Sequence, residues 1–375
     1  MTTYSKIEIQ RIEPLDSLRG IAAVLVMIYH LKFIFKLPID SYSDFIISRL
    51  GLSVELFYVL SSFSIFYSLH GKEFSIQSMQ SYFIRRFFRI APLYYFLLIV
   101  FFFYNNQSLF SLQYLSNLFL NITFSFAFSP LHHEGLVPAG WSIGIEFLIY
   151  FVLPILFCLI RSVKSGIISL VVIYLISSIL AYEYGSESYK GLSYSIKNLV
   201  VMLPFFFLGI MIFWIYMSSQ IMNILSKCRY LLFISSLIGI ALVYFFFYYQ
   251  SHNDNMYGNF IKYSKLYVYI AMFCFLTVIL LQLTKPIALL HNKFFNYAGK
   301  WSYSIYLIHP LVIFSSKPIY DYIYLVFPLT SISFCVCLLY TLIIVVGMSY
   351  ISFRFIEETG IKKGKSIIEK FKLKK

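Results

Sequence analysis

The run Leu15-Asp16-Ser17-Leu18-Arg19-Gly20-Ile21-Ala22-Ala23-Val24-Leu25-Val26-Met27-Ile28-Tyr29-His30 decides the fold. From Ile21 to Tyr29 it carries no charge, and with its flanks it is long enough to cross about 30 Å of hydrocarbon as a helix. Arg19 and His30 stand eleven residues apart. At about 100° and 1.5 Å per residue they share one helix face, about 16 Å apart along the axis. An arginine at a membrane edge is ordinary. A histidine half-way into hydrocarbon costs free energy unless it has a partner or a task.

The rest of the chain repeats that pattern. Its 375 residues are 60% hydrophobic, 21% aromatic and only 12% charged, where soluble domains carry about a quarter charged residues. The expected class is all-α, a polytopic membrane helix bundle. About ten transmembrane helices are expected, near 17–36, 45–69, 87–104, 141–160, 166–182, 198–217, 230–249, 266–283, 302–317 and 328–350. The aromatic stretch 108–128 reads as an eleventh, re-entrant or interfacial segment. Residues 1–360 form the expected membrane domain and 361–375 a basic cytoplasmic tail. No cleavable signal peptide is expected, because Met1–Pro14 is polar and no small-residue cleavage site follows the first apolar run.

The net charge of +14 invites a nucleic-acid partner, but its distribution argues against one. With the N-terminus in the cytoplasm, Lys32, Lys36, Arg49, Lys190, Lys197, Lys262, Lys265 and Lys317 fall outside. The remaining lysines and arginines, Lys6 and the tail from Lys362 to Lys375 among them, fall inside. This is the positive-inside bias with both termini cytoplasmic, and the tail suits anionic membrane lipids. Cys158, Cys228, Cys274, Cys335 and Cys337 lie in or beside apolar runs without C-x-x-C spacing, which favours packing over disulfides or metal.

Against an apolar background each polar residue can be weighed. Asp16 is one turn from Arg19 and suits a local ion pair. Glu55, in Gly51-Leu52-Ser53-Val54-Glu55, is costly to leave unpaired; Ser61 and Ser62 on the same helix allow close approach of a neighbour. Arg86 and Arg89, in Ser81–Pro92, share a face at a helix entrance and offer planar guanidinium forks to phosphate, of a ligand or of lipid. Trp141 suits an interfacial belt, and Ser142 and Glu146, one turn apart, suit sugar hydroxyls or plain helix packing. Adjacent His132 and His133 point different ways and with Glu134 make an incomplete ligand set, so no metal is expected. Asn121-Ile122-Thr123 matches a glycosylation sequon, a pattern frequent by chance. Ser302 and His309 share a face on a late helix. His309, like His30, is deep, and Pro310 follows it.

In order along the chain, L-D-S-L-R-G-x-A-A ending in His30, G-x-S-V-E-L-F-Y-V-L-S-S-F, R-R-F-F-R-I-A-P, W-S-I-G-I-E-F and G-x-x-S-Y-S-I-Y-L-I-H-P resemble the acyltransferase type 3 family of integral-membrane acyltransferases. The resemblance implies a multi-pass protein of the bacterial cytoplasmic (inner) membrane. It would move an acyl group, most often acetyl from acetyl-CoA, to a hydroxyl of an extracytoplasmic surface or lipid-linked glycan such as O-antigen, capsule or exopolysaccharide. The donor is a substrate, and no bound cofactor is implied. His30 would be the base or a transient acyl acceptor, with Arg19 and Asp16 beside the donor. Arg86 and Arg89 would hold CoA phosphates, while Trp141, Ser142, Glu146 and His309 would face the acceptor. Two motifs depart from the family pattern. Ser61-Ser62-Phe63 replaces serine-glycine-phenylalanine, and Glu357-Glu358-Thr359-Gly360 replaces E-x-P. No appended hydrolase-like domain is expected. The rival reading is a transporter or flippase of a lipid-linked oligosaccharide, since ten helices with buried charges and prolines occur there too.

Overall fold

Backbone groups in hydrocarbon must find partners within their own segment, and a helix provides them. The apolar runs accordingly form helices in the computed structural model, which describes residues 11–105, 112–184, 197–252 and 266–373. They are α1 (Glu13–Ile34), α2 (Ser41–Ile47), α3 (Ser53–Leu69), α4 (Ile76–Tyr104), α5 (Leu112–Ile122), α6 (Trp141–Leu159), α7 (Val163–Tyr184) and α8 (Leu199–Met217). There follow α9 (Ser219–Lys227), α10 (Arg229–His252), α11 (Leu266–Thr284), α12 (Lys293–Lys300), α13 (Ser302–Ser315), α14 (Lys317–Val326), α15 (Thr330–Ser352) and α16 (Glu358–Leu373). No strand occurs among the described residues. Eight helical stretches are long and apolar enough to cross a membrane, and Val268–Thr284 and Ser302–Ser315 are shorter apolar helices. Lys6, Lys190, Lys262, Lys265 and residues 108–111 of the ambiguous aromatic stretch lie outside the described residues.

The chain divides into two compact units. One comprises Met1–Ala22, Leu52–His70 and Val152–Gly299; the other comprises Ala23–Gly51, Gly71–Phe151 and Lys300–Lys375. Arg19 belongs to the first and His30 to the second, although α1 carries both.

In the first unit α3 packs on α8 at close range. Ser62, in place of the family's usual glycine, turns its hydroxyl back to the carbonyls of Tyr58 and Val59, 3.1 Å each. Room for that serine comes from the opposite helix, where Gly209 lies directly against Val59 O and Ser62 Oγ and a Cβ would collide with both. The close approach of α3 and α8 thus rests on a small residue from each helix. The start of α1 is held against α12 in the same way. A Cβ on Gly20 would stand 2.5 Å from Phe295 O and 2.7 Å from Gly299 N, backbone atoms that cannot swing aside.

In the second unit α13 is almost wholly buried, and α15 and α14 pack beside it. The basic tail continues the last long helix through a π-turn at Phe353–Glu357, and α16 lies along α4 with Gly360 and Gly364 against Pro92 and Phe88. Asp40 caps α2, accepting from Ser43 N at 2.9 Å and from Ser331 Oγ at 2.8 Å. Those bonds hold its carboxyl below the usual range, at about 2.

The described part of the aromatic stretch, residues 112–128, folds back on α4 as a re-entrant loop would. α5 runs antiparallel to α4: the Tyr114 ring meets Phe102 at 5.6 Å, and Tyr95 OH donates to Ile122 O at 2.7 Å. At Phe124, in the left-handed region (φ 57°), the chain turns into a short 3-10 segment, Ser125–Phe128. Residues 129–140 then lead to α6, with Gly140 beside the Tyr94 ring. Tyr94 and Tyr95 lie about 14 Å along the axis from the Tyr104 end of α4. The loop thus turns back part-way down that helix, where irregular backbone persists only inside protein. Asn121 supplies the missing partners. Wholly buried, it accepts from Tyr94 OH at 2.7 Å and Leu136 N at 2.9 Å, and it donates to Asn117 O at 2.9 Å. The asparagine of the sequon is therefore a structural pin.

Candidate active site

α13 brings the two deep histidines together. His309 is wholly buried, and its Nε2 lies 2.8 Å from His30 Nδ1 on α1, the rings stacked with centroids 4.9 Å apart. The other ring nitrogen of His309, Nδ1, is 3.1 Å from Ile305 O. Pro310 explains part of this placement: it has no N–H, so the Tyr306 carbonyl loses its helical donor and becomes available to the imidazole beside it. The sequence reading expected an acceptor-facing His309. The structure places it against His30.

One turn before His309, Tyr306 ties this helix to the re-entrant loop. Its hydroxyl donates to Ala139 O at 3.0 Å and accepts from Ser142 Oγ at 2.7 Å, while its ring meets His309 edge-on at 5.9 Å. Ala139 is held at φ 61°, a conformation costly for a residue with a Cβ and kept by surrounding contacts. Ser142 is thus hydrogen-bonded beneath the histidines, and Trp141 beside it is 8% exposed.

Arg86 and Glu146 were expected at opposite membrane surfaces. They meet instead around the same two tyrosines. Arg86 lies over the rings of Tyr82 (5.7 Å) and Tyr150 (5.5 Å), and Tyr150 OH donates to Glu146 at 2.6 Å. Tyr82 feels both Arg86 and Glu146, and its hydroxyl donates to Tyr150 O at 3.1 Å. The reason is helix length and depth. α4 begins at Ile76 rather than near residue 87, so Arg86 sits about 15 Å into it, and antiparallel α6 begins beside Tyr94.

Arg89 faces elsewhere, within electrostatic reach of Glu357. Glu357 is wholly buried at the end of the π-turn and accepts from Ser304 Oγ on α13. A π-turn re-aims one side chain of an otherwise regular helix, and such turns gather at functional sites. Near the start of α4 a further cation completes a basic edge: burial, then Arg85 and Arg86, hold the Lys72 ammonium below the usual lysine range.

In the first unit Arg19 pairs with Asp16 at 2.8 Å, and its other terminal nitrogen donates to Leu60 O at 3.0 Å and to Ser64 Oγ. Asp16 also pairs with Arg11. The arginine therefore ties α1 to α3. Ser17, wholly buried one residue on, donates to Asn296 and lies 3.1 Å from His291 Nδ1.

A family model described as an acyltransferase domain matches residues 12–350, nearly the whole chain. The chain belongs to the acyltransferase type 3 family. It is a membrane acyltransferase by that membership, and the helices bear out the polytopic expectation. Neither a curated protein nor a solved structure matches it.

Sequence reasoning overlooked Tyr306, although it lies three residues before His309 on the same face. It noticed Asn121 only as a sequon, although a lone amide in an apolar, aromatic run was itself a signal. It noted Glu357 only as a departure from a motif. Nothing local shows that this carboxylate is buried, because burial comes from α13 and α4.

Proposed function

We propose that the chain is an O-acyltransferase, most simply an O-acetyltransferase. It would move acetyl from cytoplasmic acetyl-CoA to a hydroxyl of an extracytoplasmic surface glycan such as O-antigen, capsule or exopolysaccharide. The observation that carries this reading is the His30–His309 pair: an imidazole at membrane depth, held by a second imidazole, in a member of an acyltransferase family. Transfer from a thioester to a hydroxyl needs a base for the attacking oxygen, and a neutral imidazole serves near neutral pH.

The basic edge formed by Lys72, Arg85 and Arg86 supports a role in holding donor phosphates, since clustered cations favour a polyanion. Arg89 is better read as a group that Glu357 orients. Glu146 accepts from Tyr150 OH and shares that tyrosine with Arg86, so its carboxylate is assigned to the place where donor and acceptor meet rather than to the outer surface. Ser142, bonded to Tyr306 OH, ties the start of α6 to the helix of His309, so with Trp141 it is assigned to shaping the site rather than to gripping the sugar. In this reading both termini and the basic edge are cytoplasmic, and α16 rests on anionic lipid.

Purified protein in liposomes should release CoA from acetyl-CoA when acceptor glycan is supplied, and His30→Ala should abolish the release while remaining in the membrane. Glycan movement without CoA release would favour a flippase. Wild-type acetylation in His30→Ala would sink the reading.

A further inference from the structure

We propose that His309 is a positioning residue that fixes the proton of His30 on Nδ1, so that His30 presents Nε2 as the base. The argument starts at a carbonyl. Ile305 O can only accept, so His309 Nδ1, 3.1 Å away, carries a hydrogen. His309 is wholly buried, and a buried charge is costly, so the ring holds only that one proton. Its Nε2 is then a lone pair. A hydrogen bond of 2.8 Å to His30 Nδ1 therefore requires the proton to sit on His30 Nδ1. Neutral His30 then has its own lone pair on Nε2.

The reverse arrangement, with His309 Nε2–H donating to His30, would set the Nδ1 lone pair of His309 against the Ile305 carbonyl, two acceptors in contact. Pro310 strengthens the preferred state from the sequence upward. By removing an N–H it leaves the Tyr306 carbonyl as a further acceptor near the His309 ring. The dipeptide His309-Pro310 thus sets a proton on a different helix.

The consequence for the reaction rests on the acyltransferase reading. As the acceptor hydroxyl oxygen bonds to the thioester carbonyl carbon, its proton passes to His30 Nε2. The carbon–sulfur bond then breaks, and the leaving thiolate takes that proton from Nε2–H, giving ester and free thiol. The Nδ1 proton stays in place throughout. While His30 is transiently cationic, the His309 lone pair faces its Nδ1–H, as a carboxylate does in a serine-histidine-aspartate triad.

The proton arrangement can be read without activity. In 15N-histidine-labelled protein in lipid nanodiscs at neutral pH, the His30 signals are those absent from His30→Gln. They are expected to show a protonated Nδ1 and an unprotonated Nε2; the opposite pattern would overturn the proposal. A second arm uses CoA release. His309→Phe keeps an aromatic ring and removes the acceptor, and kcat should fall by about 10²-fold or more with KM for acetyl-CoA unchanged. His309→Gln puts an amide oxygen near the place of Nε2 and should recover at least about tenfold of that loss. Equal losses in two folded variants would also overturn it. If wild-type protein releases no CoA, the acyltransferase reading fails, and the spectrum alone decides the proton position.

Discussion

Replacing Asn121 by alanine tests whether the re-entrant loop is held by one buried amide. The side chain accepts from Tyr94 OH and from Leu136 N, and it donates to Asn117. Alanine removes the acceptor and strands two buried donors. Each stranded donor costs about 1–3 kcal/mol, moderated towards about 1 kcal/mol per bond in membrane bundles, where the unfolded state finds other partners. The expected destabilisation is about 2–4 kcal/mol. Tyr94→Phe, in contrast, deletes one donor and leaves Asn121 bonded to Leu136 N, so about 1 kcal/mol is expected. Denaturation of purified protein in micelles, run as a double-mutant cycle, gives both values and their coupling. Because Tyr306 ties residue 139 of the same loop to the helix of His309, Asn121→Ala should also lower kcat for CoA release. If Asn121→Ala were no more destabilising than Tyr94→Phe, the loop would not depend on this amide and the argument would fail.

Arg86→Gln should raise KM for acetyl-CoA about tenfold, the size of one charge-assisted hydrogen bond to phosphate, while Arg86→Lys should lose less; an unchanged KM in initial-rate assays would remove Arg86 from the donor site. Asp40 offers a pH test with a defined sign. Its folded pKa is depressed to about 2 by the hydrogen bonds from Ser43 and Ser331. Its stabilising contribution is therefore complete above the unfolded value near 4 and is lost only as pH falls through about 2. Hydrogen exchange at the start of α2 should be insensitive to Asp40 protonation between pH 8 and pH 5, and Asp40→Ala should speed exchange there throughout that range. A protection step near pH 6 that vanished in Asp40→Ala would contradict this.

Much of the architecture was legible because hydrocarbon imposes strict rules. A charge-free run such as Ile21–Tyr29 has few options besides a helix, and the motifs lying on such helices identified the family. Pairing along one helix was legible too, since Asp16 and Arg19 meet as their spacing predicts. Tertiary structure alone decided which residues from different helices meet. No local pattern could show that His309 would lie on His30. Nor could it show that Gly209 of α8 would make room for Ser62, or that Arg86 and Glu146 would share two tyrosines. The α4 start was placed late because Gln77, Gln80, Arg85 and Arg86 interrupt the apolar run without ending the helix. The re-entrant loop was ambiguous for a related reason: apolar length marks a segment as able to enter a membrane, while only the partners of its turn, Asn121 and Tyr94, decide that it turns back. Sequence thus determined which side chains stand at membrane depth. Packing determined their partners, and with them the contacts from which the proposed proton positions are argued.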